Sequence, residues 1–194
     1  MPAMSRKAQK RRGPKKATPK YLENAALHYL GRFASSAENL RRVLMRKVDR
    51  SARAHGTDRA EGSAQVESLI RRFARSGLVD DAAYARARAA SLARRGASAR
   101  LIRAKLAEKG VGPDAVAAAL AALADDGGDA ELRAAVNLAR RRRLGPFRAT
   151  KGRPAKGERE KALAALARAG FSYDVAKRVI DAADADELEE AAGG

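Results

Sequence analysis

Lysine and arginine are the residues of this chain whose type and spacing could do chemistry. They make up 41 of 194 residues, against 23 Asp and Glu, and the formal net charge is +18. A guanidinium binds two oxygens of a carboxylate or phosphate at once, and several contacts to a phosphate backbone gain affinity through counterion release. The chemistry indicated is therefore the binding of a polyanion, either a nucleic acid or an acidic protein groove.

The densest group of cations is the run from Arg140 to Arg143. Four consecutive positions spread around roughly 300° of a helix, so their side chains cannot share one solvated face. Gly145-Pro146 favours a helix end just after the run, followed by a basic loop to Gly157. We expect this cluster to contact a polyanion; the alternative is that water alone surrounds it.

A second group lies on a helix predicted from Ser98. At about 100° per residue, Ile102 and Leu106 share one face and leave cations on both flanks. The alternative is that these cations only solvate the helix. The candidate binding residues come from both groups, from the helix predicted at 80–95 and from the basic loop: Arg86, Arg88, Arg94, Arg95, Arg100, Arg103, Lys105, Lys109, Arg140, Arg141, Arg142, Arg143, Lys151 and Arg153.

Enzymatic chemistry finds little support in the sequence. Asp80-Asp81 is a conceivable metal-binding pair, but it opens a predicted helix, where capping and the helix dipole explain it. His28 and His55 have no partners at ligand spacing, and the absence of cysteine excludes thiolate ligands, cysteine nucleophiles and disulfides. We therefore predict no catalytic residue, metal or cofactor, with a nuclease as a remote alternative.

The composition favours an all-α fold. Alanine, the best helix former, accounts for 47 residues, and β-branched residues are sparse. Apolar residues recur at helical spacing, with Ser or Asp at predicted N-caps and Gly after predicted helix ends. Nine helices are predicted, at 20–33, 36–54, 58–76, 80–95, 98–109, 113–124, 129–143, 157–169 and 172–184.

The helices repeat in groups of three. The segment from Ser36 aligns without gaps with that from Ser98, and Gly110 pairs with Gly170 between the second and third copies. Small stacked repeats predict an elongated, curved array with a long surface for macromolecules. The predicted organisation is a disordered basic arm at 1–20, repeats at 21–79 (with an extension at 50–63), 80–126 and 127–184, and a disordered acidic tail at 185–194.

Particular motifs in these repeats resemble the RecX family of regulatory proteins. They are G-L-V-D-D-x-x-Y-A from Gly77, S-x-x-x-I-R-x-x-L-x-x-K-G-V from Ser98, and G-F-S-Y-D from Gly170. The resemblance covers about residues 21–180 and implies three tandem three-helix repeats. It also implies binding to the groove of the RecA–DNA filament, inhibition of filament extension or recombinase activity, and binding to DNA.

Composition and resemblance together predict a non-catalytic regulator of homologous recombination, DNA repair and the SOS response. The expected partners are the RecA filament and single- and double-stranded DNA, with no small-molecule substrate. The longest apolar run, Ala115 to Ala124, is too short to cross a bilayer, so we expect a cytoplasmic monomer without a membrane partner. The alternative is a general architectural protein that coats DNA by charge alone.

Overall fold

The computed structural model describes residues 13–125, 129–148 and 157–193, and within these ranges all regular structure is helical. This confirms the predicted all-α class. The helices are α1 (Pro19–Leu30), α2 (Ala37–His55), α3 (Arg59–Arg75), α4 (Asp81–Arg94), α5 (Ala99–Glu108), α6 (Pro113–Asp125), α7 (Ala130–Arg142), α8 (Glu158–Arg168), α9 (Tyr173–Ile180) and α10 (Ala185–Ala191), with a 3₁₀ turn at Gly145–Phe147.

Short polar side chains fix where the helices begin. The side chains of Asp80, Ser98, Asp129 and Ser172 accept hydrogen bonds from main-chain N–H groups in the first turns of α4, α5, α7 and α9. Each satisfies a donor that has no partner inside the helix. The sequence predicts Ser or Asp at the helix starts, and these four residues confirm that prediction.

The chain divides into two compact units. The first consists of Met1–Ala34 and Leu40–Leu78, and the second of Ser35–Asn39 and Val79–Gly194. The first unit buries Leu22 of α1, Leu44 of α2, and Val66 and Phe73 of α3. The predicted extension at 50–63 lengthens helices here, since it supplies the last turn of α2 and the first turn of α3.

The described end of the predicted disordered arm is held against the first unit. The amide of Ala17 donates to the buried hydroxyl of Ser51 at 2.9 Å, and His55 Nε2 lies 2.7 Å from the carbonyl oxygen of Pro14. Pro19 and Lys20 already belong to α1. The prediction of disorder was therefore wrong for 13–20, because long-range hydrogen bonds order this segment; residues 1–12 lie outside the described part.

The second unit contains two small apolar cores. Ala85, Ala89, Ile102 and Leu106 contribute to the core formed by α4, α5 and α6. The other core belongs to α7, α8, α9 and α10, with Leu132, Val136, Leu166 and Val179 fully buried or nearly so. Many of the inward side chains are alanine, which lets helix backbones approach closely without a large volume of side chain.

Two buried serines of the second unit, Ser36 and Ser98, each stand just before a helix and bond to the end of another one. The Ser98 hydroxyl donates to the carbonyl of Ala169 at 2.8 Å, where α8 has just ended. The Ser36 hydroxyl donates in the same way to the carbonyl of Lys109, just past α5. Both serines are fully buried, and their positions match in the predicted repeat.

A carboxylate makes the neighbouring contact at both positions. The amide of Ala37 donates to Asp81 Oδ1 at 2.8 Å, and the amide of Ala99 donates to Glu131 Oε2 at 3.0 Å. Asp81 and Glu131 lie in the first turns of α4 and α7. The same pair of contacts thus occurs twice, which supports the interpretation of the sequence as a tandem three-helix repeat.

The prediction of a disordered acidic tail at 185–194 was wrong for its described part. Residues Ala185–Ala191 form α10, capped by the side chain of Asp184, and Leu188 and Ala192 are buried in the core of α7 to α9. The preceding helix ends at Ile180 rather than at 184. Leu188 and Ala192 dock this segment, although its acidic composition favours disorder.

No helix within the described ranges is both long and apolar enough to span a membrane.

Candidate polyanion-binding surface

The C-terminal ends of α4 and α7 meet in the second unit. Arg141 Nη1 donates a hydrogen bond to the main-chain carbonyl of Arg95 at 2.5 Å. We call the arginines of these two helix ends the α4–α7 arginine cluster: Arg94, Arg95, Arg140, Arg141, Arg142 and Arg143. Residues 46 positions apart in the sequence are therefore in contact, and each run offsets the partial negative charge of a helix end.

Gly96 makes this close approach possible. Its φ is 77°, and a Cβ built on it would lie 2.6 Å from the Cβ and from the main-chain nitrogen of Leu138. Real Cβ atoms do not approach other heavy atoms so closely, and a left-handed φ is strained for any residue with a side chain. A glycine at this position therefore lets α7 pack directly on the end of α4.

The run of four arginines ends the helix, as the sequence predicted. Arg143 has left-handed backbone angles, φ 55° and ψ 51°, and the amide of Leu144 donates to the carbonyl of Ala139 at 2.9 Å. This is the hydrogen-bond pattern of a closed helix C-terminus. Arg142 and Arg143 consequently point away from the apolar face of α7 and are exposed.

Arg140 is the member of the cluster that is already paired. Its Nε lies 3.0 Å from Glu189 Oε1 of α10, and its guanidinium lies 5.8 Å from the centre of the Phe147 ring. An acidic helix thus occupies one side of the arginine cluster. No local sequence pattern indicates this contact, since Arg140 and Glu189 are 49 residues apart.

The predicted faces of α5 are confirmed by burial. Ile102 and Leu106 are buried, whereas Arg100 and Arg103 are exposed on the flank. Lys105 on the other flank pairs with Glu108 at 3.2 Å. This flank is therefore partly neutralised, and the Arg100 flank carries the more available charge.

Most of the candidate arginines have no acidic partner within the described part of the chain. Arg86 is exposed and Arg88 is half-buried on α4, and neither pairs with a carboxylate there. The same holds for the side chains of Arg94, Arg100, Arg103, Lys109, Arg142 and Arg143. Lys151 and Arg153 lie outside the described residues, so their role stays a prediction.

Arg159 gives a contrasting case of an arginine paired with a carboxylate. Its Nε and Nη2 lie 2.7 and 2.6 Å from the two oxygens of Asp181. These hydrogen bonds raise the pKa of Arg159 above its ordinary value and hold the pKa of Asp181 below its own. This bidentate pair connects α8 to the end of α9 and is structural in character, unlike the unpaired arginines.

The first unit is the more basic part of the molecule. The first unit holds 19 Lys and Arg against 5 Asp and Glu, a net charge of +14, while the second holds 22 against 18, a net +4. The candidate set nevertheless lies entirely in the second unit. Counting charge separately for each predicted repeat is enough to find this asymmetry from the sequence.

The aspartates considered as a metal pair have structural partners. Asp80 Oδ1 accepts from the amide of Ala83 at 2.9 Å, and Asp81 accepts from the amide of Ala37. Across the described ranges, no three His, Cys, Asp or Glu residues lie close enough together to hold a metal ion. The capping role inferred from the sequence is confirmed for Asp80.

Comparisons with known proteins support the resemblance noted in the sequence. The family described as "RecX, second three-helix domain" matches residues 80–120. "Regulatory protein RecX" of Myxococcus xanthus is 48% identical over 176 residues, which cover 89% of this chain and 92% of that protein. The protein of the same name from Agrobacterium fabrum is 35% identical over 165 residues, 82% of each chain.

Two solved structures share the fold. A crystal structure of regulatory protein RecX matches with a TM-score of 0.61 and 21% identity, covering 84% of this chain and 72% of that one. The crystal structure of RecX from Lactobacillus salivarius matches with a TM-score of 0.59 and 18% identity, covering 89% and 97%. Together with the identity to the Myxococcus xanthus protein over most of both lengths, these matches show that the chain belongs to the RecX family of regulatory proteins.

Proposed function

We propose that this protein is a non-catalytic regulator that binds the RecA–DNA filament and limits recombinase activity in homologous recombination and DNA repair. The observation that carries the proposal is the contact of Arg141 with the main chain of Arg95 in the α4–α7 arginine cluster, which brings two exposed arginine runs close to each other. Membership of a family of regulatory proteins supports the regulatory role. The protein acts as a monomer, on filaments formed on single- or double-stranded DNA.

The charge pattern of the second unit suits a partner that presents both protein side chains and DNA phosphates, as the groove of a protein–DNA filament does. Its 22 cations are interspersed with 18 acids, so the unit as a whole is only +4. A mixed surface selects a partner with complementary charges, whereas non-specific attraction to DNA grows with the number of phosphates that cations neutralise. Arginine predominates among the unpaired cations and suits bidentate contact with carboxylates as well as phosphates.

The rival function is an architectural protein that coats DNA by charge alone. The net +14 of the first unit favours it, because such a charge attracts any nucleic acid. The two functions differ in what they require of the second unit: a coating protein needs only the sum of its charge, and a filament regulator needs arginines at particular places.

Arg142→Gln with Arg143→Gln tests this difference, since both belong to the cluster and are exposed. We expect affinity for a preassembled recombinase filament, measured by co-sedimentation, to fall about tenfold or more, since hydrogen bonds to charged groups contribute about 1.5–3 kcal/mol each. Lys161→Gln with Arg168→Gln is the control, because it removes equal charge from exposed positions of α8. Equal losses for both variants, on the filament and on bare DNA alike, favour the coating protein.

The non-catalytic part of the proposal has its own test. Incubation of labelled DNA with the protein and Mg²⁺ is expected to leave the DNA length unchanged on a denaturing gel. Metal-dependent shortening that Asp81→Ala abolishes would contradict it, provided the variant keeps its helical circular dichroism, because Asp81 also accepts from the amide of Ala37.

A further inference from the structure

We infer that the first unit contains a phosphate-binding pocket of its own, which takes the backbone of a nucleic acid. The Tyr21 pocket, as we call it, has a volume of about 440 Å³ and is lined by Gly13, Pro14, Lys15, Tyr21, Lys47 and Arg50. It lies outside the α4–α7 arginine cluster. The inference rests on the DNA contact within the proposed function and is independent of the recombinase.

Two ammonium groups converge on one aromatic ring in this pocket. Lys15 Nζ lies 5.9 Å and Lys47 Nζ lies 5.7 Å from the centre of the Tyr21 ring. The negative face of an aromatic ring attracts cations at such distances, so Tyr21 holds the two lysines at the pocket. Arg50 is three residues after Lys47 on α2 and thus on the same side of that helix.

The backbone that carries Lys15 is fixed in place. His55 at the end of α2 contacts the carbonyl oxygen of Pro14, and Ser51 accepts from the amide of Ala17. Lys15 is thereby held between two anchored residues rather than on a freely moving arm. Such ordering before binding lowers the entropy lost when a ligand is bound.

No carboxylate of the first unit neutralises these three cations. Lys15 and Lys47 form no ion pair in the described residues, and Arg50 donates only to the carbonyl of Arg46 at 3.2 Å. All five acids of the unit are engaged elsewhere: Glu23 with Arg72, Asp49 with Arg59, Asp58 with the amide of Ala60, Glu61 with Gln65, and Glu67 with Arg41.

Three unpaired cations beside an open volume favour an anion from outside. Like charges at short range repel, and an anion between them relieves the repulsion while each cation supplies a hydrogen bond. The wider charge of the unit selects a long polyanion over a single small one. Five further cations precede the pocket in sequence, at Arg6, Lys7, Lys10, Arg11 and Arg12, while residues 1–22 contain no acid. A phosphate backbone, with its regularly repeated charge, fits this pattern best.

Lys47→Gln with Arg50→Gln tests the pocket, with a labelled oligothymidylate as the probe and no recombinase present. We expect about tenfold weaker binding by fluorescence anisotropy, and a plot of log affinity against log salt that is flatter by about 1.4, as expected when two contacts to a single strand are lost. The control is Arg71→Gln with Arg75→Gln, which removes equal charge from exposed positions of α3.

If the two double variants lose the same affinity for oligothymidylate, binding is due to diffuse attraction by net charge and the proposal of a specific pocket is overturned. Competition by polyglutamate as strong as that by unlabelled oligothymidylate would overturn the assignment to a nucleic acid in favour of an acidic protein. Lys15→Gln lies outside the helices and repeats the test if the double variant loses helicity. Because the recombinase is absent from this experiment, a negative result contradicts the pocket but not the filament proposal. Conversely, a protein that fails to inhibit the filament can still bind nucleic acid through the pocket.

Discussion

The hydroxyl of Ser98 donates to the main-chain carbonyl of Ala169 while it accepts from the amide of Leu101. One buried side chain therefore begins α5 and holds the end of α8. Ser36 repeats this arrangement at the start of α2 with the carbonyl of Lys109. The apolar cores are small and rich in alanine. Buried hydrogen bonds such as these therefore help to fix which helix ends pack together.

Replacing the Ser98 hydroxyl is expected to destabilise the second unit. Ser98→Ala removes a helix cap, which costs about 1 kcal/mol, and leaves a carbonyl without its partner, which costs about 1–3 kcal/mol more. Ser172→Ala is the matched control, since Ser172 caps α9 in the same way but is exposed. Chemical denaturation measures both, and equal losses of unfolding free energy would show that the Ala169 contact contributes nothing.

The contact between Gly96 and Leu138 predicts a larger effect. Gly96→Ala adds backbone strain of about 1–2 kcal/mol and a steric overlap that costs about 1–3 kcal/mol more. Gly77→Ala isolates the strain, because Gly77 has φ 72° but nothing within 4 Å of the added Cβ. If the two variants lose the same unfolding free energy, α7 does not pack against Gly96 as closely as we describe.

Arg143 separates binding from stability within the arginine cluster. Its left-handed backbone is costly for arginine and favourable for glycine, so Arg143→Gly is expected to leave the unfolding free energy unchanged or raise it by up to about 1 kcal/mol. The lost cation should nevertheless weaken binding to the filament severalfold. A variant that is stable and binds as well as the parent chain would exclude Arg143 from the interface.

The acidic helix α10 is expected to weaken the cluster that it contacts. Glu189→Gln releases Arg140 and should strengthen binding to DNA about twofold to fivefold, while stability changes by less than about 1 kcal/mol because the pair is partly exposed. Glu190→Gln changes the net charge equally on the same helix. If anisotropy shows the same gain for both, the effect comes from net charge and not from the release of Arg140.

Local signals in the sequence predicted the helices. Long-range contacts decide how the helices pack and which side chains meet, and these the sequence did not predict. Ser98 and Asp80 marked helix starts because capping depends on residues within one turn. Leu188 was overlooked since a single apolar residue in an acidic segment has no periodicity, yet it docks α10. The meeting of Arg141 with Arg95 depends on how α7 packs on α4, which no local pattern encodes. The charge of the first unit, by contrast, was readable from the sequence.

The most direct test of the regulatory role is DNA-dependent ATP hydrolysis by the recombinase, measured while this protein is titrated far below one molecule per recombinase subunit. A regulator that stops filament extension affects many subunits at once, so we expect ATP hydrolysis to fall substantially in this range. If hydrolysis falls only when the protein is abundant enough to saturate the DNA, the filament proposal is contradicted and the protein acts as a coat on DNA.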